Sequence, residues 1–263
     1  PERRTNNKRT KRRVDFNYYG DVEDVELDII ELKSIISSRM IMLALIFIFS
    51  FYMTWCNQFG LNIVSILTPK HVFSYLTVHL ITGILAVLTS TAVISKGFKN
   101  LISFKADSDS LTAVTFTACL ISVFAAFFKP ELIVNHTAQI FMPVGIMSLM
   151  LNAVGKYLIL RRAERNFEFA ASSFDRHGVV FVRNEERAER LTRGTHGDFP
   201  ILAAMKKTDF LTDFLRYTYS ADITDNYSKT AVPFCLIASA ILSFFLTFVR
   251  MGTVFSAESI SFG

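Results

Sequence analysis

Apolar and polar positions in this 263-residue chain fall into long blocks rather than alternating at short range. Five runs carry no charged side chain: Met40–Cys56, Val72–Ser95, Leu111–Phe128, Leu132–Gly155 and Thr230–Val249, each 17 to 24 residues long. A helix of roughly 20 apolar residues crosses the hydrocarbon core of a bilayer. Barrel strands would instead give segments of about 10 residues with alternating polarity, and that pattern is missing. The runs therefore predict five transmembrane helices. Met251, Val254, Phe255, Ile260 and Phe262, after Arg250, predict the start of a sixth.

Between the runs the pattern changes. Val22, Val25, Ile29, Leu32 and Ile36 repeat at helical spacing, with Asp21, Glu23, Asp24, Asp28 and Glu31 mostly on other faces, which predicts a surface helix resting on another cytoplasmic part. In the stretch 161–229, Arg161–Ala171 extends the fourth helix. His177–Val182, β-branched and aromatic, reads as a strand, Glu185–Leu191 as a helix, Gly194–Asp198 as a turn and Phe210–Tyr219 as a helix. The expected fold is mainly α: a polytopic helical membrane protein with five transmembrane helices, the start of a sixth and a small α+β cytoplasmic module. The expected organisation is a basic arm and acidic amphipathic helix over 1–38, a four-helix membrane region over 39–160, the module over 161–229, and the fifth helix with the start of a sixth over 230–263.

Composition agrees. Hydrophobic residues make up 51% of the chain, charged residues 19%, and the mean hydropathy is +0.35. Soluble domains carry about a quarter charged residues, so this balance excludes a soluble enzyme, a disordered protein and a disulfide-stapled secreted domain. The chain opens at Pro1 without an initiator Met and stops at Gly263 within a lengthening apolar stretch, which predicts a fragment of something longer.

Charge placement adds orientation. Of the 28 Lys and Arg, 25 lie in the amino-terminal arm, the loop after the second run or the stretch after the fourth; Lys70, Lys129 and Arg250 are the other three. Positive charge stays on the cytoplasmic side, so an integral membrane protein is expected with its amino terminus and module in the cytoplasm, in a plasma membrane. The first run follows a long charged segment and lacks a small-residue cleavage site, so it does not read as a signal peptide. The arm (Arg3, Arg4, Lys8, Arg9, Lys11, Arg12, Arg13) has no interleaved aromatics for base stacking, and no nucleic acid partner is expected. The partners expected are the lipid bilayer, a cation, and a protein contacting the cytoplasmic segments.

Candidate chemistry is sparse. Asn152, deep in the fourth run, either bonds another helix or lines a pathway. Pro143 and Pro233 are pathway candidates, because proline inside a membrane helix frees a carbonyl for ion coordination. Cys56, Cys119 and Cys235 lie in or beside spans without a Cys-x-x-Cys pair. They read either as small buried hydrophobes or, for Cys119 and Cys235 with Met147, as soft metal ligands. The five histidines are scattered, and there is no His-Glu-x-x-His, phosphate-binding loop or dinucleotide fingerprint. No cofactor is expected in this chain.

Three stretches carry a family resemblance. Lys99-Asn100-Leu101 with Asp109-Ser110-Leu111-Thr112-Ala113-Val114 resembles the opening of the third span in heavy-metal-transporting P-type ATPases. Gly155-Lys156-Tyr157-Leu158 with Arg161-Arg162-Ala163-Glu164-Arg165 resembles that family's exit from the fourth span. Asp225, eight residues before Pro233, with Ala231-Val232-Pro233, resembles its entry to the fifth. The order of spans over residues 72–250 is similar too. The chain departs from the family in lacking a Thr-Gly-Glu loop, in a module of 69 residues that is short for an actuator domain, and in reducing the paired glycines of the second helix to Lys96-Gly97. The resemblance implies a divergent, catalytically incomplete membrane region of a P-type-ATPase-like cation transporter, using ATP and Mg only if a catalytic domain lies downstream. The alternative is a non-catalytic membrane scaffold or sensor acting through its cytoplasmic segments. A secondary transporter ranks last, since no inverted repeat is visible.

Overall fold

The computed structural model describes residues 15–58, 71–134, 139–192, 202–208, 212–218 and 223–251. The basic arm to Arg13, the turn at 194–198 and the start of a sixth span lie outside them. The elements in chain order are α1 (Val22–Gln58), α2 (Val72–Ile102), α3 (Ser108–Ala126), α4 (Glu131–Val134), α5 (Met142–Ala171), β1 (Arg176–Phe181), α6 (Glu185–Leu191), β2 (Ala203–Thr208), α7 (Phe214–Thr218) and α8 (Ile223–Met251). Helices α1, α2, α3, α5 and α8 are each long and apolar enough to cross a membrane. This is a mainly α, polytopic integral membrane protein with a small two-stranded sheet.

Two boundaries differ from the sequence expectation. The acidic amphipathic stretch is helical, as expected, but it forms the first part of α1, which runs unbroken from Val22 to Gln58. No Gly or Pro interrupts it, so the backbone has no reason to break where the face turns apolar. The run Leu132–Gly155 is not one helix either. It contains the end of the short α4 and a non-helical stretch at 139–141, and α5 begins at Met142. Pro143 thus stands in the first turn of α5, where its missing N–H would have had no partner in any case.

The described residues fall into two compact units. One contains Leu32–Leu160 and α8; the other contains the chain up to Glu31 and the stretch from Arg161 through α7. In the first, Leu43, Leu76, Phe116, Ile146 and Leu149 are core residues of α1, α2, α3 and α5, and α8 packs beside α3. Lipid tails are as apolar as leucine, so close packing must replace the hydrophobic drive between helices. Small residues provide it. A Cβ at Gly83 would overlap Met142 Cε, and one at Gly145 would come within 3.0 Å of Cys119 Cβ. Outward-facing Leu45, Ile48, Leu88 and Phe244 present the apolar surface that a bilayer requires.

In the other unit Phe16, Val25, Ile29, Phe167 and Leu215 form a small core. The Phe16 and Phe167 rings meet edge to face at 5.2 Å, and Phe167 and Phe214 lie 5.3 Å apart. Asp15 accepts from the N–H groups of Leu215 (2.8 Å) and Arg216 (3.0 Å), which caps the start of α7. Strands β1 and β2 pair antiparallel from Arg176↔Thr208 to Phe181↔Ala203. The strand expected over His177–Val182 is thus present, and α6 has the expected bounds. Helix α7 is shorter than the expected Phe210–Tyr219, part of which lies outside the described residues.

Candidate functional site

Among the described residues of the membrane unit, buried polar chemistry is concentrated where α2 ends, α3 begins and α5 passes. Asp107 is the N-cap of α3: its Oδ1 accepts from Ser110 N at 2.9 Å, and Asn100 donates to its Oδ2 at 2.7 Å. The Ser110 hydroxyl in turn donates to the Gly97 carbonyl at 2.9 Å. Gly97 is required at this crossing, since a Cβ there would overlap the Asp109 carbonyl oxygen and meet Ala113 Cβ at 2.8 Å. The absence of a side chain at Gly97 brings α2 and α3 into direct backbone contact and fixes where Asp109 points.

Asp109 is the centre of the site, with its side chain only 2% exposed. Lys156 Nζ, from α5, lies 2.7 Å from Oδ1 and 2.9 Å from Oδ2. Asn152 Nδ2, one turn earlier on α5, donates to Oδ1 at 2.8 Å, and Lys96 Nζ, from α2, lies 3.3 Å from Oδ2. An ionised carboxylate buried alone would cost several kcal/mol. Here two ammonium groups and an amide surround it, and its position in the first turn of α3 places it at the favourable end of the helix dipole. Both carboxylate oxygens are committed. The arrangement locks α2, α3 and α5 together, and a cation could reach the carboxylate only by displacing Lys156 or Lys96.

Of the residues singled out from sequence, Asn152 belongs to this cluster. Its amide joins α5 to α3, and its Oδ1 is buried with no partner among the described residues. Cys119 is half-buried against Gly145, whereas Met147 and Cys235 are exposed. Among the described residues no three His, Cys, Asp or Glu side chains gather in a way that could hold a metal ion. Pro233 does lie inside α8. Helix α2 is bent at Ser90 (φ −118°, ψ 15°) rather than at Gly97. Thr89 and Thr91 flank the bend and turn their hydroxyls back onto carbonyls of the preceding turn.

Sequence reading did not reach Asp109, Lys96 or Lys156 as a site. The available signal was a carboxylate just ahead of an uncharged run and a lysine near the end of another, but 47 residues separate Asp109 from Lys156. A second feature was also missed. His79, in α2, is fully buried, both ring nitrogens lack a partner among the described residues, and Tyr75 meets the imidazole edge to face at 4.6 Å.

The other unit buries two charged side chains, Asp21 and Arg176, and also offers surface chemistry. A cleft of about 610 Å³ is lined by Glu26, Ile29, Arg161, Arg165, Phe167 and Glu168, among others. On the hairpin, Val179, Phe181 and Met205 are exposed. Asp175 pairs with Lys207 at 2.7 Å, and that hydrogen bond and charge hold the Asp175 carboxyl below its ordinary range. Comparison of the chain with family models, with curated protein sequences and with solved structures gives no match.

Proposed function

We propose that this chain is a non-catalytic membrane scaffold or sensor, with the span order of a P-type-ATPase-like membrane region, working through protein contacts of its cytoplasmic segments. The observation that carries this reading is the saturated Asp109 carboxylate. The buried charge of the bundle is used to join helices, with two lysines where a transport site would need room for a cation. The dispersed positions of Cys119, Met147 and Cys235 support the same reading. The 25-to-3 distribution of Lys and Arg supports a cytoplasmic position for the unit holding Asp15–Glu31 and Arg161 onward, whose mixed-charge cleft would suit a partner. A plasma membrane is the proposed location.

The test is affinity capture of the full chain from its native membrane after mild cross-linking, compared with a Glu26→Lys/Arg165→Glu variant. Both residues are exposed in the cleft. Partners lost on charge reversal support the scaffold reading, and an identical partner list for the two chains contradicts it.

His79 favours a second reading, cation or proton movement through the bundle, because intramembrane ionisable groups mark pathways. Proteoliposomes carrying the chain would then pass a cation or protons at a rate that His79→Leu abolishes. Flux indistinguishable from empty liposomes removes this reading.

A further inference from the structure

Among the described residues, the outer edge of β1 pairs with no further strand, and the outer edge of β2 is chemically protected. Val182 N donates to Leu202 O, next to the Phe181↔Ala203 end of the ladder. Inward and outward backbone groups alternate along an antiparallel strand. Val180, Gly178 and Arg176 therefore share the inward set with Val182, and the N–H and C=O groups of His177, Val179 and Phe181 point away from β2. The outer edge of β2 carries Lys206 and Lys207, the residue type that blunts an edge against pairing. From His177 onward β1 has no Lys, Arg, Asp, Glu or Pro, and Val179 and Phe181 are each 67% exposed. Two isolated strands are also marginal by themselves, and three or more with an apolar face are needed for independent stability.

We propose that β1 pairs with β1 of a second copy of this chain about a two-fold axis at Val179, giving a continuous four-stranded antiparallel sheet. The register is set by self-complementarity. With Val179 opposite Val179 of the second copy, His177 faces Phe181 and Gly178 faces Val180. The outward backbone groups of residues 177, 179 and 181 then meet in three bonded pairs, about six hydrogen bonds in all. No like charges oppose one another, whereas the same operation on β2 concentrates four lysines. Val179 and Met205 are cross-strand partners within one chain, so pairing also joins two exposed apolar strips into one. The inference rests on the hairpin alone and holds whether or not the cleft binds another protein.

The test is oxidative cross-linking of the purified full chain in detergent, with the unsubstituted chain and its three native cysteines as background. In a bonded pair the two Cα atoms lie about 5.5 Å apart, within disulfide reach. Val179→Cys should give a covalent dimer well above background, and Val180→Cys, which has no copy of itself opposite, should not. In parallel, Val179→Pro removes an outward N–H and leaves the β1–β2 bonds in place, so it should weaken dimerisation at least tenfold in sedimentation equilibrium. Absence of the Val179→Cys cross-link, equal linking by Val180→Cys, or a dimer unchanged by Val179→Pro would each overturn the proposal.

Discussion

Lys156 Nζ lies 2.7 Å from Asp109 Oδ1, so an ion pair buried at its acidic end joins α5 to the first turn of α3. Removing one partner of a buried pair leaves an uncompensated charge and costs about 3–5 kcal/mol. Asp109→Asn and Lys156→Met should each destabilise the bundle by about 3 kcal/mol, and the double variant by much less than the sum. Lys96 is 61% exposed, so Lys96→Met should cost under about 1 kcal/mol. Unfolding of the wild type and these four variants in one detergent measures the coupling.

Gly97 and Gly155 give a sharper contrast. A Cβ at Gly97 would overlap the Asp109 carbonyl, whereas one at Gly155 meets nothing within 4 Å. Gly97→Ala should therefore destabilise by about 1–3 kcal/mol through overpacking. Gly155→Ala, inside α5, should stabilise by about 0.5–1 kcal/mol through helix propensity. Thermal unfolding of the two variants should shift in opposite directions.

Most of the membrane helices were legible in the sequence because a bilayer imposes length and apolarity together, and both can be read locally. Their ends were less so. The bounds of an uncharged run mark charge rather than hydrogen bonding, so the unbroken passage of α1 from acidic to apolar sequence and the late start of α5 at Met142 were missed. Strand β1 announced itself through Val179, Val180 and Phe181. Strand β2, Ala-Ala-Met-Lys-Lys-Thr, has little β-branched character and forms through its pairing with β1. Asn152 stood out as a polar group at depth, but its partner is set by tertiary contact across 43 residues. Nothing local in Asp109 distinguishes a buried clamp from an ordinary first-turn acid.

Asp15 should matter to the small unit out of proportion to its position. It caps α7 through the N–H groups of Leu215 and Arg216. Asp15→Ala should cost about 1 kcal/mol and speed proteolysis within 212–218, while Asp15→Asn should retain part of the cap. Timed digestion followed by mass spectrometry checks both outcomes.

The Asp175 carboxyl is held low by Lys207. A depressed carboxylate pKa contributes stability above the ordinary Asp range, and that contribution is lost as pH falls through the folded value. In an NMR titration the Asp175 side-chain carbon should move at a pH below the ordinary Asp range. In Lys207→Met it should return to that range.

Under the proposed function Asp109 acts as a structural clamp and not as a transport carboxylate. One Asp109→Asn preparation, measured both for unfolding in detergent and for cation flux in proteoliposomes, separates the two roles. Loss of a clamp should cost about 3 kcal/mol in stability, with flux at the empty-liposome background for both wild type and variant. Cation flux in the wild type that Asp109→Asn abolishes, with stability unchanged, would contradict the clamp role.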